Sequence, residues 1–120
     1  DEQCLSALEA VVAEFPELKI VISSSWRETY GLKELSMFLG PILGNRVIGV
    51  TPVIDDPFLH HVRYHEVLSY LKANMLQHSP WIAIDDTAGF YPSNAPVVWT
   101  NPKNGFTPED GKILRAMLLS

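Results

Sequence analysis

The strongest constraint on this chain is an alternation. Short, nearly uninterrupted apolar runs, each ending in small polar or acidic residues, are separated by stretches of helical periodicity. Residues 18–22 (LKIVI) run into Ser23-Ser24-Ser25, residues 46–50 (RVIGV) into Thr51, and residues 81–84 (WIAI) into Asp85-Asp86, while residues 96–99 form a fourth run. Between them, residues 3–15 space Leu5, Leu8, Val11, Val12 and Phe15 as one helical face that Pro16 stops. Residues 29–39 regain helical spacing until Gly40-Pro41 breaks it, and residues 61–75 set Val62, Val67, Leu68, Leu71 and Met75 on one side. Thr107-Pro108-Glu109-Asp110 has the order of an N-cap, a first-turn proline and an acidic first turn, so a last helix opens there. Strands that are apolar at consecutive positions need cover on both faces, and helices between such strands are what parallel pairing requires. The pattern predicts an α/β fold with a mainly parallel sheet, its functional residues gathered at the C-terminal strand ends.

Length and charge narrow the function. With 120 residues, 47% of them hydrophobic, the expectation is one domain over residues 1–120 that needs neither disulfides nor a structural metal to fold. Nine Lys and Arg against fourteen Asp and Glu give a formal charge of −5, which argues against broad, charge-driven binding to nucleic acid or anionic membranes. Cys4 is the single cysteine, so no internal disulfide forms, and a small buried core residue is its expected role. No run approaches eighteen apolar residues and the N-terminus lacks a basic-then-apolar leader, so a soluble cytoplasmic setting without a membrane partner is expected.

The strand ends carry the chemistry. Adjacent carboxylates at Asp85-Asp86 repel unless a cation, a basic side chain or solvent compensates. Magnesium is the natural hard-oxygen partner, with a capping turn as the alternative. The hydroxyls and backbone N–H groups of Ser23, Ser24 and Ser25 suit one phosphate, or else a polar loop and N-cap. Arg27 could add a planar fork to the same anion, or pair with Glu28 or another carboxylate. Arg63 could neutralise a phosphate or order the aspartates, or make an i,i+3 pair with Glu66. His61 and His65 have a chelating spacing, yet neither a third ligand nor an HExxH pattern accompanies them. Trp26, Trp81 and Trp99 are too scattered to form a nucleobase-stacking platform and are expected to pack.

In order and spacing, IVISSSWR at residues 20–27, VIGVTP at residues 47–52, Arg63 with Glu66-Val67, and WIAIDD at residues 81–86 resemble the haloacid dehalogenase (HAD) superfamily. With Gly105-Phe106-Thr107 after the last strand, the likeness is to the small HAD domains associated with predicted RNA-repair proteins, across nearly the whole chain. The resemblance implies a HAD-like Rossmannoid three-layer sandwich with a minimal cap, residues 40–60 being the only room for a flap. It also implies residue roles. Ser23, with Ser24 as alternate, would hold the transferring phosphoryl group, and Arg63, with Lys72 as runner-up, would steady it. Asp85 would ligate Mg2+, with Asp86 as its partner directly or through water.

The family's DxD strand end, which supplies the nucleophilic and the acid/base aspartates, has no match in these residues. Asp55-Asp56-Pro57 follows a proline-containing turn and lacks the spacing, and Asp1-Glu2 has no strand before it. In the family that strand is central, just upstream of a helix like that of residues 3–15. The expectation is therefore that the natural protein carries this strand upstream of Asp1. The chain is then a magnesium-dependent phosphohydrolase working through an aspartyl phosphate on a phosphorylated substrate, a nucleotide or nucleic-acid end. Two alternatives stand beside it: a catalytically inactive HAD-like binding or interaction module, and a metal-dependent nuclease, for which no further carboxylate set is evident.

Overall fold

The computed structural model describes residues 2–120, with side chains from Leu5 onward, so the core role expected of Cys4 lies outside the described side chains. In chain order the elements are α1 (Glu2–Glu14), β1 (Ile20–Ile22), a 3₁₀ turn (Ser25–Glu28), α2 (Leu32–Phe38), α3 (Gly40–Gly44), β2 (Val47–Val50), α4 (Val62–Ala73), β3 (Ala83–Asp85), a second 3₁₀ turn (Ala88–Phe90), β4 (Val97–Trp99) and α5 (Pro108–Leu119). They belong to two units. One comprises Asp1–Leu18, Trp81–Ala88 and Pro96–Ser120, the other Lys19–Pro80 and Gly89–Ala95. Among the described residues no helix is long and apolar enough to cross a membrane.

In the first unit β3 and β4 pair in parallel, Ala83 with Val97, Ile84 with Val98 and Asp85 with Trp99. Thr100 N–H donates to the Asp85 carbonyl at 2.9 Å and carries the ladder one step further. Val11 of α1, Val98 of β4, Phe106 and Leu114 of α5 form the core, with Leu8, Phe15, Ile82 and Met117 packed around it. The helical face predicted for residues 3–15 thus buries against β4 and α5. Thr107 caps α5 as its sequence predicts: its hydroxyl accepts from Asp110 N–H at 3.2 Å, and the Asp110 carboxylate accepts from Thr107 N–H at 2.9 Å.

In the second unit β1 and β2 pair in parallel, Ile20 with Val47, Val21 with Gly49 and Ile22 with Val50, with an irregularity after Ile20. Leu35, Leu43, Leu71 and Tyr91 are buried here. The helix expected over residues 29–39 is shorter, because the chain first makes a 3₁₀ turn and then starts α2 after Gly31, whose N–H donates to the Glu34 carboxylate. Gly40 ends α2 as expected, with φ +81, yet Pro41 sits in the first turn of a new helix rather than in a loop. The close fit of α2 against α3 requires Gly44, where a Cβ would stand 2.3 Å from the Ser36 carbonyl oxygen.

Two expectations are corrected. The apolar stripe of the third predicted helix ends at Leu71, because α4 stops at Ala73 and Met75, at φ +57, is 87% exposed. The strands are less deeply covered than parallel strands buried on both faces: all of β1 is half-buried and Ile84 of β3 is 38% exposed. The described residues form two parallel two-stranded sheets, and such narrow sheets offer few positions that helices can cover on both sides. Leu43 has no exposed surface, so Leu43→Ala should lower the unfolding free energy by about 2–5 kcal/mol through lost burial and the cavity left behind. Urea denaturation reads this, and an unchanged midpoint would contradict the packing.

Candidate active site

β1 delivers Ser23 to its C-terminal end, where the chain turns. Ser24, in extended conformation, caps the 3₁₀ turn by accepting Trp26 N–H on its hydroxyl at 3.2 Å. The Ser23 carbonyl accepts from Arg27 Nη1 at 3.0 Å and also from Arg63 Nη1 of α4. The Ser23 hydroxyl has no partner among the described residues. Two guanidinium groups therefore fix the backbone of this serine and leave its side chain available.

Arg27 is the centre of the arrangement. Its side chain is 2% exposed, and each of its five N–H positions meets an acceptor: Nε gives to Thr51 O at 3.0 Å, Nη1 to Ser23 O and Ser24 O, and Nη2 to Pro52 O and to Glu66 Oε1 at 2.7 Å. Burial pushes its pKa below the ordinary arginine value; Glu66 opposes that shift and Arg63 adds to it. The fork is turned inward, tying the ends of β1 and β2 to α4, and no N–H remains to present to an anion. Of the two roles expected of Arg27, the structure shows the ion pair, with Glu66 rather than Glu28 as its carboxylate.

Glu66 is the residue that sequence reasoning undervalued. Only 3% exposed, it accepts from Arg27, from Arg63 at 3.5 Å, and from Ile54 N–H at 2.9 Å. The pairing with Arg63 at i,i+3 was legible; the pairing with Arg27, 39 residues away, was not. Arg27 and Arg63 converge on one carboxylate, Glu66, and Glu28 and Asp55 line the same cleft, which therefore holds both basic and acidic side chains. Arg63 also lies over the Phe90 ring, 4.9 Å from its centroid. A cleft of about 440 Å³ is lined by Arg27, Asp55, Arg63 and Glu66 among others. The loop after β2, part of the stretch expected to hold a flap, is pinned at its root by the bonds from Arg27 to Thr51 and Pro52 and from Ile54 to Glu66.

In the other unit, Asp85 ends β3. Its Oδ1 accepts from Asp86 N–H at 2.7 Å and Thr87 N–H at 3.1 Å, and Asp86 Oδ1 accepts from the Thr87 hydroxyl at 3.0 Å. These bonds orient both carboxylates. Such a pair of hard-oxygen donors fits Mg2+, which takes one or two protein carboxylates alongside water and substrate oxygens. It is no all-protein cage: among the described residues no group of three or more His, Cys, Asp or Glu could hold a metal. That holds equally for His61 and His65, of which His61 is the N-cap of α4 at φ +56.

Two of the three tryptophans differ from expectation, while Trp81 is half-buried. Trp26 is 59% exposed and Trp99 43%, and Trp26 meets two rings that the sequence reading did not connect with it, Tyr30 and Phe38. Removing Glu66 leaves the buried Arg27 charge without a carboxylate, and removing Arg27 leaves four backbone carbonyls without their donor and Glu66 with Arg63 as its remaining cation. Arg27→Met and Glu66→Gln should each lower the unfolding free energy by about 3–5 kcal/mol, with strong coupling in the double mutant. Arg27→Lys should not restore stability, since one ammonium cannot span five acceptors. Losses below about 1 kcal/mol in chemical denaturation, as at exposed pairs, would contradict this assignment.

The sequence profile described as "HAD domain in Swiss Army Knife RNA repair proteins" matches residues 1–110. No curated protein and no solved structure matches the chain. The parallel pairing of β1 with β2 and of β3 with β4, the serine turn after β1 and the aspartate pair closing β3 agree with that match. The chain belongs to the family of HAD domains found in Swiss Army Knife RNA repair proteins.

Proposed function

We propose that the chain belongs to a magnesium-dependent phosphohydrolase acting on a phosphate monoester at a nucleotide or nucleic-acid end. The observation that carries this reading is the state of Ser23: its carbonyl is clamped by two guanidinium groups and its hydroxyl is unclaimed. Those are the requirements for holding a phosphoryl group in one place while charge shifts across it. Family membership supports the same chemistry.

In this proposal the DxD pair comes from outside these residues, and the fold is a three-layer HAD-like sandwich with a minimal cap, as family membership suggests. The first aspartate attacks phosphorus, the ester P–O bond breaks, and the leaving oxygen takes a proton from the second aspartate. Water, giving its proton back to that second aspartate, then releases inorganic phosphate from the aspartyl phosphate. The Ser23 hydroxyl donates to a phosphoryl oxygen throughout, and Arg63 offsets negative charge at the same group. Asp85 and Asp86 would hold Mg2+, which supplies charge neutralisation on the phosphoryl oxygens when bound.

The test uses the protein with the residues that precede Asp1 in its natural polypeptide. Phosphate release from a terminally phosphorylated oligonucleotide should depend on Mg2+ and be lost on chelation. Asp85→Asn should reduce kcat by at least a hundredfold with the circular dichroism spectrum unchanged, and Ser23→Ala should reduce it by roughly ten- to a hundredfold. Turnover unchanged in Asp85→Asn would overturn the site. Absence of turnover in the full polypeptide would favour an inactive binding module.

A further inference from the structure

The cleft beside the serine turn has walls that restrict what can occupy it. Arg27 and Arg63 line it and both donate to the Ser23 carbonyl, so it opens next to the turn whose free hydroxyl holds the phosphoryl group in the proposed reaction. Against these two cations the same cleft carries three carboxylates, Glu28, Asp55 and Glu66. Glu66 is answered by both arginines. Glu28 lies near enough to Arg27 to favour its charged form, yet neither Glu28 nor Asp55 has a hydrogen-bond or ion-pair partner among the described residues. Both are exposed and both are carried on fixed backbone: Glu28 closes the 3₁₀ turn that Ser24 caps, and Asp55 follows Ile54, whose N–H donates to Glu66 at 2.9 Å. The rest of the lining is apolar, from Val53, Ile54 and Val62.

A second anionic group in this cleft would meet two carboxylates that nothing beside them pairs, and like charges brought together at a binding site are costly. A neutral group with O–H or N–H donors meets the opposite situation. It can give charge-assisted hydrogen bonds to Glu28 and Asp55 while its carbon skeleton lies on the valines. The cleft's volume of about 440 Å³ falls within the roughly 300–1,000 Å³ of small-molecule sites. The alcohol released from a phosphate monoester occupies the space next to the phosphoryl group, which here is this cleft. We infer that the cleft is the leaving-group subsite, that it takes an uncharged, hydroxyl-bearing group such as the nucleoside of a mononucleotide, and that Glu28 and Asp55 set this preference by accepting from hydroxyls and repelling a second phosphate. The inference deepens, and rests on, the phosphohydrolase reading. Of the two substrates named there it favours the free nucleotide, because a nucleic-acid end brings its next phosphodiester to the same sugar.

The experiment uses the full natural polypeptide and compares the better used of adenosine 3′- and 5′-monophosphate with adenosine 3′,5′-bisphosphate, which adds to the same nucleoside the charge that a chain's next phosphate would bring. kcat/KM should favour the monophosphate by roughly ten- to a hundredfold, and the double variant Glu28→Gln, Asp55→Asn should lose most of that preference by gaining on the bisphosphate. Circular dichroism confirms the fold of the variant. Equal use of the two nucleotides, or a preference that survives in the double variant, would overturn the subsite. Turnover of p-nitrophenyl phosphate, which has no sugar, reads the hydrolase separately, so its turnover without a preference between the nucleotides removes the subsite and leaves the hydrolase. If none of these compounds releases phosphate, the hydrolase reading fails and calorimetric binding of the two nucleotides decides the subsite. Tighter binding of the monophosphate that the double variant abolishes supports it, and equal affinities overturn it.

Discussion

Everything in the Ser23 turn depends on one buried cation. Arg27 must be charged, has almost no contact with water, and would be costly there without full pairing. Glu66 and four backbone carbonyls supply that pairing, and in doing so they tie together three stretches distant in sequence: the turn after β1, the loop after β2 and the first half of α4. A hydrophobic contact could hold the same elements in proximity. It could not fix the Ser23 carbonyl to a direction, and direction is what a phosphoryl site requires of its donors.

The same pairing decides what the neighbouring residues can do. With Arg27 satisfied internally and Glu66 shared, Arg63 is the more accessible of the two guanidinium groups, its side chain 14% exposed rather than 2%. Arg63 thus contributes to the clamp on Ser23 and lines the cleft beside it. At the aspartate-bearing strand, β3, the logic is local: backbone N–H groups of Asp86 and Thr87 set the Asp85 carboxylate, and Thr87 sets Asp86. One strand end is organised by long-range ion pairing, the other by hydrogen bonds within three residues.

That contrast explains what could be read from the sequence. The α5 cap was legible because Thr107, Pro108 and Asp110 interact across a single turn, and the four strands were legible because apolar runs ending in polar residues have few other uses. The serine turn and the aspartate pair were recognisable as strand ends for the same reason. The inward orientation of Arg27 was not, since its fork is satisfied by carbonyls of Thr51 and Pro52 and a carboxylate of α4 that only the folded chain brings near. Trp26 misled in the opposite way: its hydrophobicity argues for burial, while the 3₁₀ turn that precedes α2 sets it outward against Tyr30 and Phe38. The split of the expected helix into a 3₁₀ turn and α2 creates that cluster.

The account makes the Ser23 turn a phosphoryl-holding device in an enzyme that forms an aspartyl phosphate, and rapid acid quenching tests this most directly. The protein with its preceding residues is mixed with a 32P-labelled terminal phosphate and Mg2+, then quenched within its first turnover. The account predicts a transient protein-bound label, stable to acid and released by hydroxylamine, that fails to form in Asp85→Asn. Phosphate release with no labelled protein at any time would contradict it.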